Sequence, residues 1–246
     1  MDFCQVIGVD NVLNKILDPL NIGFTAIKEL EVSLKVLPKA SPEEKVGVFC
    51  YKNGKPDVVE YLELSKEQSS MKSPDDPNRL YFELGNILIF MFRTDKLLDL
   101  CKGKIDNLYH KAFKKIEHFD PDSGQTVKPP AENGYKFELY MQNSLPFCEK
   151  VGALLVDRAQ HFGPVKNAND PENPRLVDTP LVAQQMIYAD HKNWVEKILE
   201  GDFFTKFPNP LINIEVDLML SYQGEGELFA QIVRDFPEQS EDVDAI

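Results

Sequence analysis

The spacing of hydrophobic positions changes several times along the chain, and each change marks an element. Phe3 to Val9 is a nearly continuous apolar run, the pattern of a strand covered on both faces. It ends in Asp10-Asn11, good helix caps, and Val12, Leu13, Ile16 and Leu17 follow at helical spacing. A buried strand running through a polar pair into a helix predicts a doubly wound α/β sheet, whose ligands sit beyond the carboxyl ends of the strands. Such a strand needs neighbours on both sides. Either later segments supply them, or part of the sheet lies outside this chain and an apolar edge is exposed.

The next stretch predicts antiparallel pairing. Phe24 to Leu30 and Val32 to Leu37 are β-compatible, and Val46 to Tyr51 and Val58 to Leu64 flank Lys52-Asn53-Gly54-Lys55, a strong hairpin signal. Ser65 to Asn78 reads as a loop, and Leu80 to Phe92 as a buried segment broken at Gly85-Asn86. Thr94-Asp95 caps a short helix through Cys101, with a second amphipathic piece from Asn107 to Lys115. Phe137 to Val151 reads as a helix interrupted by Pro146, and Gly152 to Asp157 as another buried strand. A polar loop through Lys166 leads to Asp178-Thr179-Pro180, a well-formed start for a helix ending at Gly201. Ile212, Ile214, Val216, Leu218 and Leu220 alternate with mostly polar residues, predicting a half-buried strand before Gly224-Glu225-Gly226. That glycine pair lacks the lysine and the following helix of a phosphate loop and reads as a turn.

Composition narrows the function classes. The 246 residues are 43% hydrophobic, enough for a sizeable core and too apolar for disorder. Forty acidic against 27 basic side chains give a net charge of −13, which argues against nucleic acid or an anionic membrane as partner. Positive charge for an anionic ligand must then come from a few lysines, a metal ion or helix N-termini. The four cysteines form no C-x-x-C pair and the four histidines are scattered, so thiols packed singly in a reducing compartment are expected, not a disulfide frame or zinc site. No histidine pairs in sequence with a nucleophile as a hydrolase would need. Asp2 and Gln5 interrupt any early apolar run, and Ile87 to Phe92 is far short of a membrane span. The expectation is a cytoplasmic globular protein.

Seven short strings, in order, carry a resemblance: Val9-Asp10-Asn11; Ile22-Gly23-Phe24; Val58-Val59-Glu60-Tyr61; Gly85-Asn86-Ile87; Lys128-Pro129 with Asn133-Gly134-Tyr135-Lys136; Pro164-Val165-Lys166-Asn167-Ala168; and Ser221-Tyr222-Gln223-Gly224-Glu225-Gly226. Together they resemble the UDP-N-acetylhexosamine pyrophosphorylase family. The resemblance implies a Rossmann-like nucleotide-diphospho-sugar transferase fold of class α/β: here an incomplete mixed sheet with antiparallel sugar-side hairpins and a small C-terminal α+β extension. It implies a partial catalytic domain over 1–178, a helix and strand region over 179–237, and an acidic tail over 238–246. The implied reaction joins UTP and N-acetylglucosamine 1-phosphate into UDP-N-acetylglucosamine and pyrophosphate, with Mg²⁺. The family's Gly-rich nucleotide loop, L-x-G-G-x-G-T-R-L-G, is not among these residues, so the chain resembles the sugar-side and C-terminal half and is expected to be a truncated form. The stretch between Trp194 and Ile212 is also shorter than in the family. A non-catalytic relative, or a uridylyltransferase for another sugar 1-phosphate such as glucose 1-phosphate, remains open.

The resemblance also assigns roles. Asp10 matches the family's metal-binding aspartate, a hard oxygen suited to Mg²⁺, and a helix cap is compatible with that role. Asn11 beside it is a substrate-binding candidate. Lys166 matches the lysine that contacts the phosphates, against the plain reading of a solvated loop lysine; Lys136 is a weaker second positive group. Glu60 and Asn86, with Gly85 allowing close approach, match the sugar-reading pair. A carboxylate accepts from adjacent hydroxyls, and an amide donates and accepts at once. Glu60 also fits the solvent face of a hairpin. Tyr140 keeps one of two aromatic positions near the acetyl group, or is helix core, while the second aromatic has become Gln142. Ser33 stands where many relatives carry glycine, which would crowd the sugar.

Overall fold

The computed structural model describes residues 1–103, 109–201, 203 and 213–235. Contacts divide the chain into two units: Met1–Ile7 with Leu17–Leu155, and Gly8–Ile16 with the described residues from Val156 onward.

The first unit is organised by its longest strand, β5 (Leu84–Arg93), an apolar run that is buried over most of its length. On one side β5 pairs antiparallel with β2 (Val32–Pro38), Phe92 opposite Val32 and Gly85 opposite Leu37. On the other, β1 (Phe3–Ile7) pairs antiparallel along Ile89 to Arg93, and β3 (Val48–Lys52) joins at Gly85. β3 turns into β4 (Lys55–Val59) through Asn53 and Gly54, at φ 54° and 76°. Two successive left-handed residues are what a two-residue hairpin of this hand requires. β10 (Val151–Leu155) closes the far edge, parallel to β2. The result is a six-stranded mixed sheet in the order β10-β2-β5-β3-β4, with β1 beside β5. Among the described residues β1 has no strand partner but β5, and its side chains are half-buried.

Alternation along β2 builds two different layers. Val32, Leu34 and Val36 join Phe90, Phe92 and Leu145 in the hydrophobic core. Ser33 and Lys35 point the other way, under α1 (Pro19–Ile27). Asp18 caps α1, its carboxylate accepting from the Leu20 N–H at 3.0 Å, and Pro19 opens the first turn. The other Asp18 oxygen accepts from Lys35 at 2.5 Å, with both side chains no more than 1% exposed. A short helix, α2 (Lys66–Ser70), precedes β5, and α3 (Thr94–Leu100) follows it. Two small ribbons complete the unit. One pairs β6 (His110–Lys114) with β9 (Gly134–Glu138), the other β7 (His118–Asp120) with β8 (Gln125–Val127). A 3₁₀ helix over Met141–Phe147 packs on β4.

The second unit holds α4 (Arg158–His161), the long α5 (Pro180–Leu199) and α6 (Glu227–Asp235). Its core gathers Trp194, Val195, Phe203, Ile214, Val216, Phe229 and Val233.

Several expectations are corrected. Residues 24–27 are helical, because Asp18-Pro19 is a helix start of the kind also present at Asp178-Thr179-Pro180, and burial of one face against β2 decides the rest. Val12 to Leu17 form turns, because the Asn11 side chain binds the 161–163 backbone and draws the segment off a helical path. Residues 110–114, expected as helix, form β6, and Phe137–Glu138 belong to β9; the ribbon is held by cross-strand pairs such as Phe113 with Tyr135, 4.7 Å between ring centroids. Asn107 itself lies outside the described residues. In the expected strand over 212–220, Ile214 and Val216 do alternate inward, but no ladder forms on residues 213–220. Ile212 and the tail over 238–246 lie outside the described residues.

Candidate functional site

The residues singled out in the sequence fall into two groups, one in each unit. The first is built around Glu60, the residue immediately after β4. Its Oε1 accepts a hydrogen bond from Gln142 Nε2 at 2.8 Å, brought there by the 3₁₀ helix on β4. Gly47 makes room for it: a Cβ there would lie 3.1 Å from Glu60 Oε1 and 2.8 Å from Val58. The Gly47 carbonyl accepts from the Asn86 N–H at 2.8 Å, so the residue that leaves space beside Glu60 also binds the Asn86 backbone. Asn86 is 5% exposed, and its Oδ1 accepts from the Leu88 N–H at 3.2 Å. Leu88 has φ 58°, and the register with β2 shifts between Leu34 and Val36, so a bulge re-aims the strand at this point. The Asn86 amide –NH₂ has no hydrogen-bond partner among the described residues. Gly85 suits close packing, since a Cβ would stand 3.2 Å from the Leu37 carbonyl oxygen and 3.1 Å from Val46, tight enough that the neighbours would have to give.

Tyr140 stands in the same group. Its hydroxyl donates to Glu138 at 2.7 Å and its ring lies 5.3 Å from His110. Burial pushes its phenol up to about 12, helped by the Glu138 hydrogen bond and by the charges of Glu138 and Glu60, so it stays a neutral donor. Lys136 lies on β9, not at a helix start, and pairs with Glu138 at 2.6 Å. Those two hydrogen bonds, Lys136 first, hold the Glu138 carboxyl below its ordinary range. Lys136 therefore serves Glu138 here. Ser33 does not crowd this group: it is fully buried under α1, donating to Asn21 Oδ1 at 2.8 Å and sharing a 2.7 Å hydrogen bond with Thr25.

The second group is Asp10, Asn11 and Lys166. The Asp10 carbonyl accepts from the Val165 N–H at 2.8 Å, which sets the Asp10 and Lys166 backbones side by side. Asn11 is 4% exposed and fully engaged. Its amide donates to Asn14 and to the His161 carbonyl, and its oxygen accepts from the Leu13 and Gly163 N–H groups. Those four bonds fill an asparagine's capacity. Asn11 is a brace for the loop and has nothing left for a ligand. Lys166 is exposed, with its backbone N–H on the Asp178 carbonyl and Nζ 5.9 Å from the Phe162 ring centre.

Asp10 is a half-buried carboxylate, and no group of three His, Cys, Asp or Glu converges among the described residues. A lone hard oxygen donor is compatible with Mg²⁺, which keeps several waters and completes its shell on substrate phosphates, and does not suit zinc. The second unit also contains a cavity of about 880 Å³ lined by Lys15, Asp190, His191, Trp194 and Tyr222 among others, and by none of the candidate residues. Sequence reasoning missed three participants: Gly47, Glu138 and the engagement of Gln142 with Glu60. Only Gln142 carried a signal, as a polar residue at a position where the resemblance implies an aromatic one.

With this geometry in place, residues 1–220 match the model of UTP--glucose-1-phosphate uridylyltransferase, and the chain belongs to that family. It is 32% identical over 246 residues to the human UDP-N-acetylhexosamine pyrophosphorylase-like protein 1, covering 94% of this chain and 47% of that one. It is 34% identical over 229 residues to the UDP-N-acetylglucosamine pyrophosphorylase of Saccharomyces cerevisiae, covering 88% and 44%. The uridine diphosphate N-acetylglucosamine pyrophosphorylase from Trypanosoma brucei superposes with a TM-score of 0.74 at 26% identity, over 97% of this chain and 48% of that one. The mixed α/β sheet is thus the nucleotide-sugar pyrophosphorylase fold. The chain spans about half the length of the curated relatives it matches. Among the described residues no helix is long and apolar enough to cross a membrane.

Proposed function

We propose that this chain is the sugar-phosphate half of a UDP-N-acetylglucosamine-forming uridylyltransferase working in the cytoplasm. The observation that carries this is the environment of Gly47, which leaves space beside the Glu60 carboxylate and binds the backbone of Asn86, whose amide –NH₂ has no partner among the described residues. Adjacent sugar hydroxyls can donate to the carboxylate while the amide binds a ring substituent. Tyr140 and Gly85 shape that group, and Lys136 orients Glu138 within it.

In the proposed reaction an oxygen of N-acetylglucosamine 1-phosphate attacks the α-phosphorus of UTP in line. A new P–O bond forms, the α–β bridge breaks and pyrophosphate leaves. Lys166 supplies a positive charge at the phosphates, which counts most while charge moves onto the leaving group. Asp10 is the residue that would hold Mg²⁺, and a bound Mg²⁺ supplies Lewis-acid neutralisation of the phosphates. The Gly-rich loop that would cradle UTP is proposed to come from residues beyond these 246, since no such string lies within them.

The test is a titration of the 246-residue chain with N-acetylglucosamine 1-phosphate. Binding is expected in the wild type and to weaken roughly tenfold in Glu60→Gln and Lys166→Ala, the loss of a charged hydrogen-bond partner. Unchanged binding in either variant removes that residue from the site. Mixed with UTP and Mg²⁺, this chain alone should release no pyrophosphate; release at an ordinary enzymic rate would place the nucleotide site within it. A preference for glucose 1-phosphate would move the reading to another sugar, and Gln142 is the residue that makes this comparison worth running.

A further inference from the structure

Gln142 is 3% exposed and only half satisfied. Its Nε2 donates to Glu60, while its Oε1 is buried with no hydrogen-bond partner among the described residues. An unpaired amide oxygen in the interior is costly, and a methionine of similar volume would fill the space without that cost. The side chain is therefore a poor choice for packing. What an amide supplies and a methionine cannot is the N–H to Glu60.

Around the carboxylate the rest of the structure reinforces this bond. Gly47 leaves space on one side of Glu60 Oε1, and the 3₁₀ helix fixes Gln142 through its buried neighbours Ser144 and Leu145. Ser144 is anchored in turn, its hydroxyl donating to the Met141 carbonyl at 2.6 Å. The donor is thus pre-organised and the acceptor must come to it.

We propose that Gln142 is a positioning residue that aims the Glu60 carboxylate at the sugar, kept at the expense of a buried unpaired oxygen. This rests on the reading of Glu60 as a sugar-binding group. It makes the site of this chain a carboxylate–amide pair, selecting a sugar that offers hydrogen-bond donors to a fixed carboxylate. A phenylalanine ring beside the carboxylate would offer it no donor.

Two variants test the role, each made in the 246-residue chain and titrated with N-acetylglucosamine 1-phosphate. Gln142→Met removes the donor and the orphaned oxygen together. It should melt no lower than the wild type and bind about tenfold more weakly. A lower melting temperature, or wild-type binding, overturns the proposal. Gln142→Glu gives a conditional rescue. When protonated, near pH 5, the introduced carboxyl can donate to Glu60 as the amide does; as the pair loses its shared proton the two carboxylates repel. Charged and titratable groups coupled to this neighbourhood include Tyr140, which feels both Glu60 and Tyr61, with His110 and Glu138 next to Tyr140. The comparison is the ratio of Gln142→Glu to wild-type affinity at each pH, which cancels effects common to both proteins. That ratio should fall as pH rises from about 5 to about 8; a flat ratio overturns the proposal. Glu60→Gln separates the two levels. If it leaves binding intact, the sugar-site reading fails; if it weakens binding while Gln142→Met does not, only the positioning role fails.

Discussion

A buried ammonium at Lys35 is costly for the first unit, and Asp18 offsets it with an opposite charge. The pair is 2.5 Å apart with almost no exposure, and the same carboxylate caps α1. Asp18→Ala removes both the carboxylate beside a buried ammonium and the cap of α1, so a loss of about 3–5 kcal/mol is expected in denaturant titration. Adding Lys35→Met should recover most of it, because the charge needing compensation is gone. The cap is readable in Asp18-Pro19. Its partner is not, since nothing in a sequence pairs a strand lysine with a residue 17 positions earlier. Gly224 shows the same limit in the second unit. It has φ 84°, and a Cβ would sit 2.6 Å from Trp194 Cγ. Gly224→Ala should cost about 1–3 kcal/mol through strain and overpacking, read as a lower melting temperature.

Among the elements, α5 is legible from both ends, through Thr179-Pro180 at its start and Gly201 after it. Its chemistry is not. His191 on α5 accepts the Val216 N–H at Nδ1, 3.0 Å away, tying the helix to the irregular segment over 213–217. Burial holds the imidazole below its ordinary value of 6.5, so it is neutral in the fold. Protonation removes the acceptor. In the unfolded chain the histidine protonates near its ordinary value, so this contribution is full above about pH 6.5 and is lost as pH falls toward the lower folded value. Melting temperatures of His191→Gln should lose that part of the acid dependence; an unaltered profile would place the titration elsewhere. Elements whose partners are distant escape the sequence for one reason. The alternation of Ile214 and Val216 reports burial, and burial does not reveal whether a ladder or a packed loop causes it.

Taken as a whole, the molecule has a core in each unit, Val32 to Cys148 in one and Trp194 to Val233 in the other. Trp194 is the chain's one tryptophan, and it lies in the second core. Its fluorescence therefore reports that unit alone, whereas far-ultraviolet circular dichroism reports both. Thermal melts followed by the two probes are expected to differ in midpoint; coincident curves would mean one cooperative unit. The charge of −13 acts at this scale too: under the proposed function, positive charge for phosphates has to come from a few local lysines, and Lys166 is the one proposed.

Local spacing and short contiguous strings were enough for the family, the hairpin at Asn53-Gly54 and the helix from Pro180, while the buried run to Phe92 was read as broken at Gly85-Asn86 and instead forms one strand from Leu84 to Arg93. Glu60, Asn86, Asp10 and Lys166 were legible as candidates on the same ground. What each side chain does with its hydrogen bonds emerged only on folding: that Asn11 is spent on a loop, that Lys136 serves Glu138, that Ser33 turns under α1, and that Gln142 holds Glu60 across 82 positions of sequence. Local pattern sets which way a side chain faces. Which polar group it meets there depends on how distant segments pack, and a hydrogen bond has a reach of only about 3 Å.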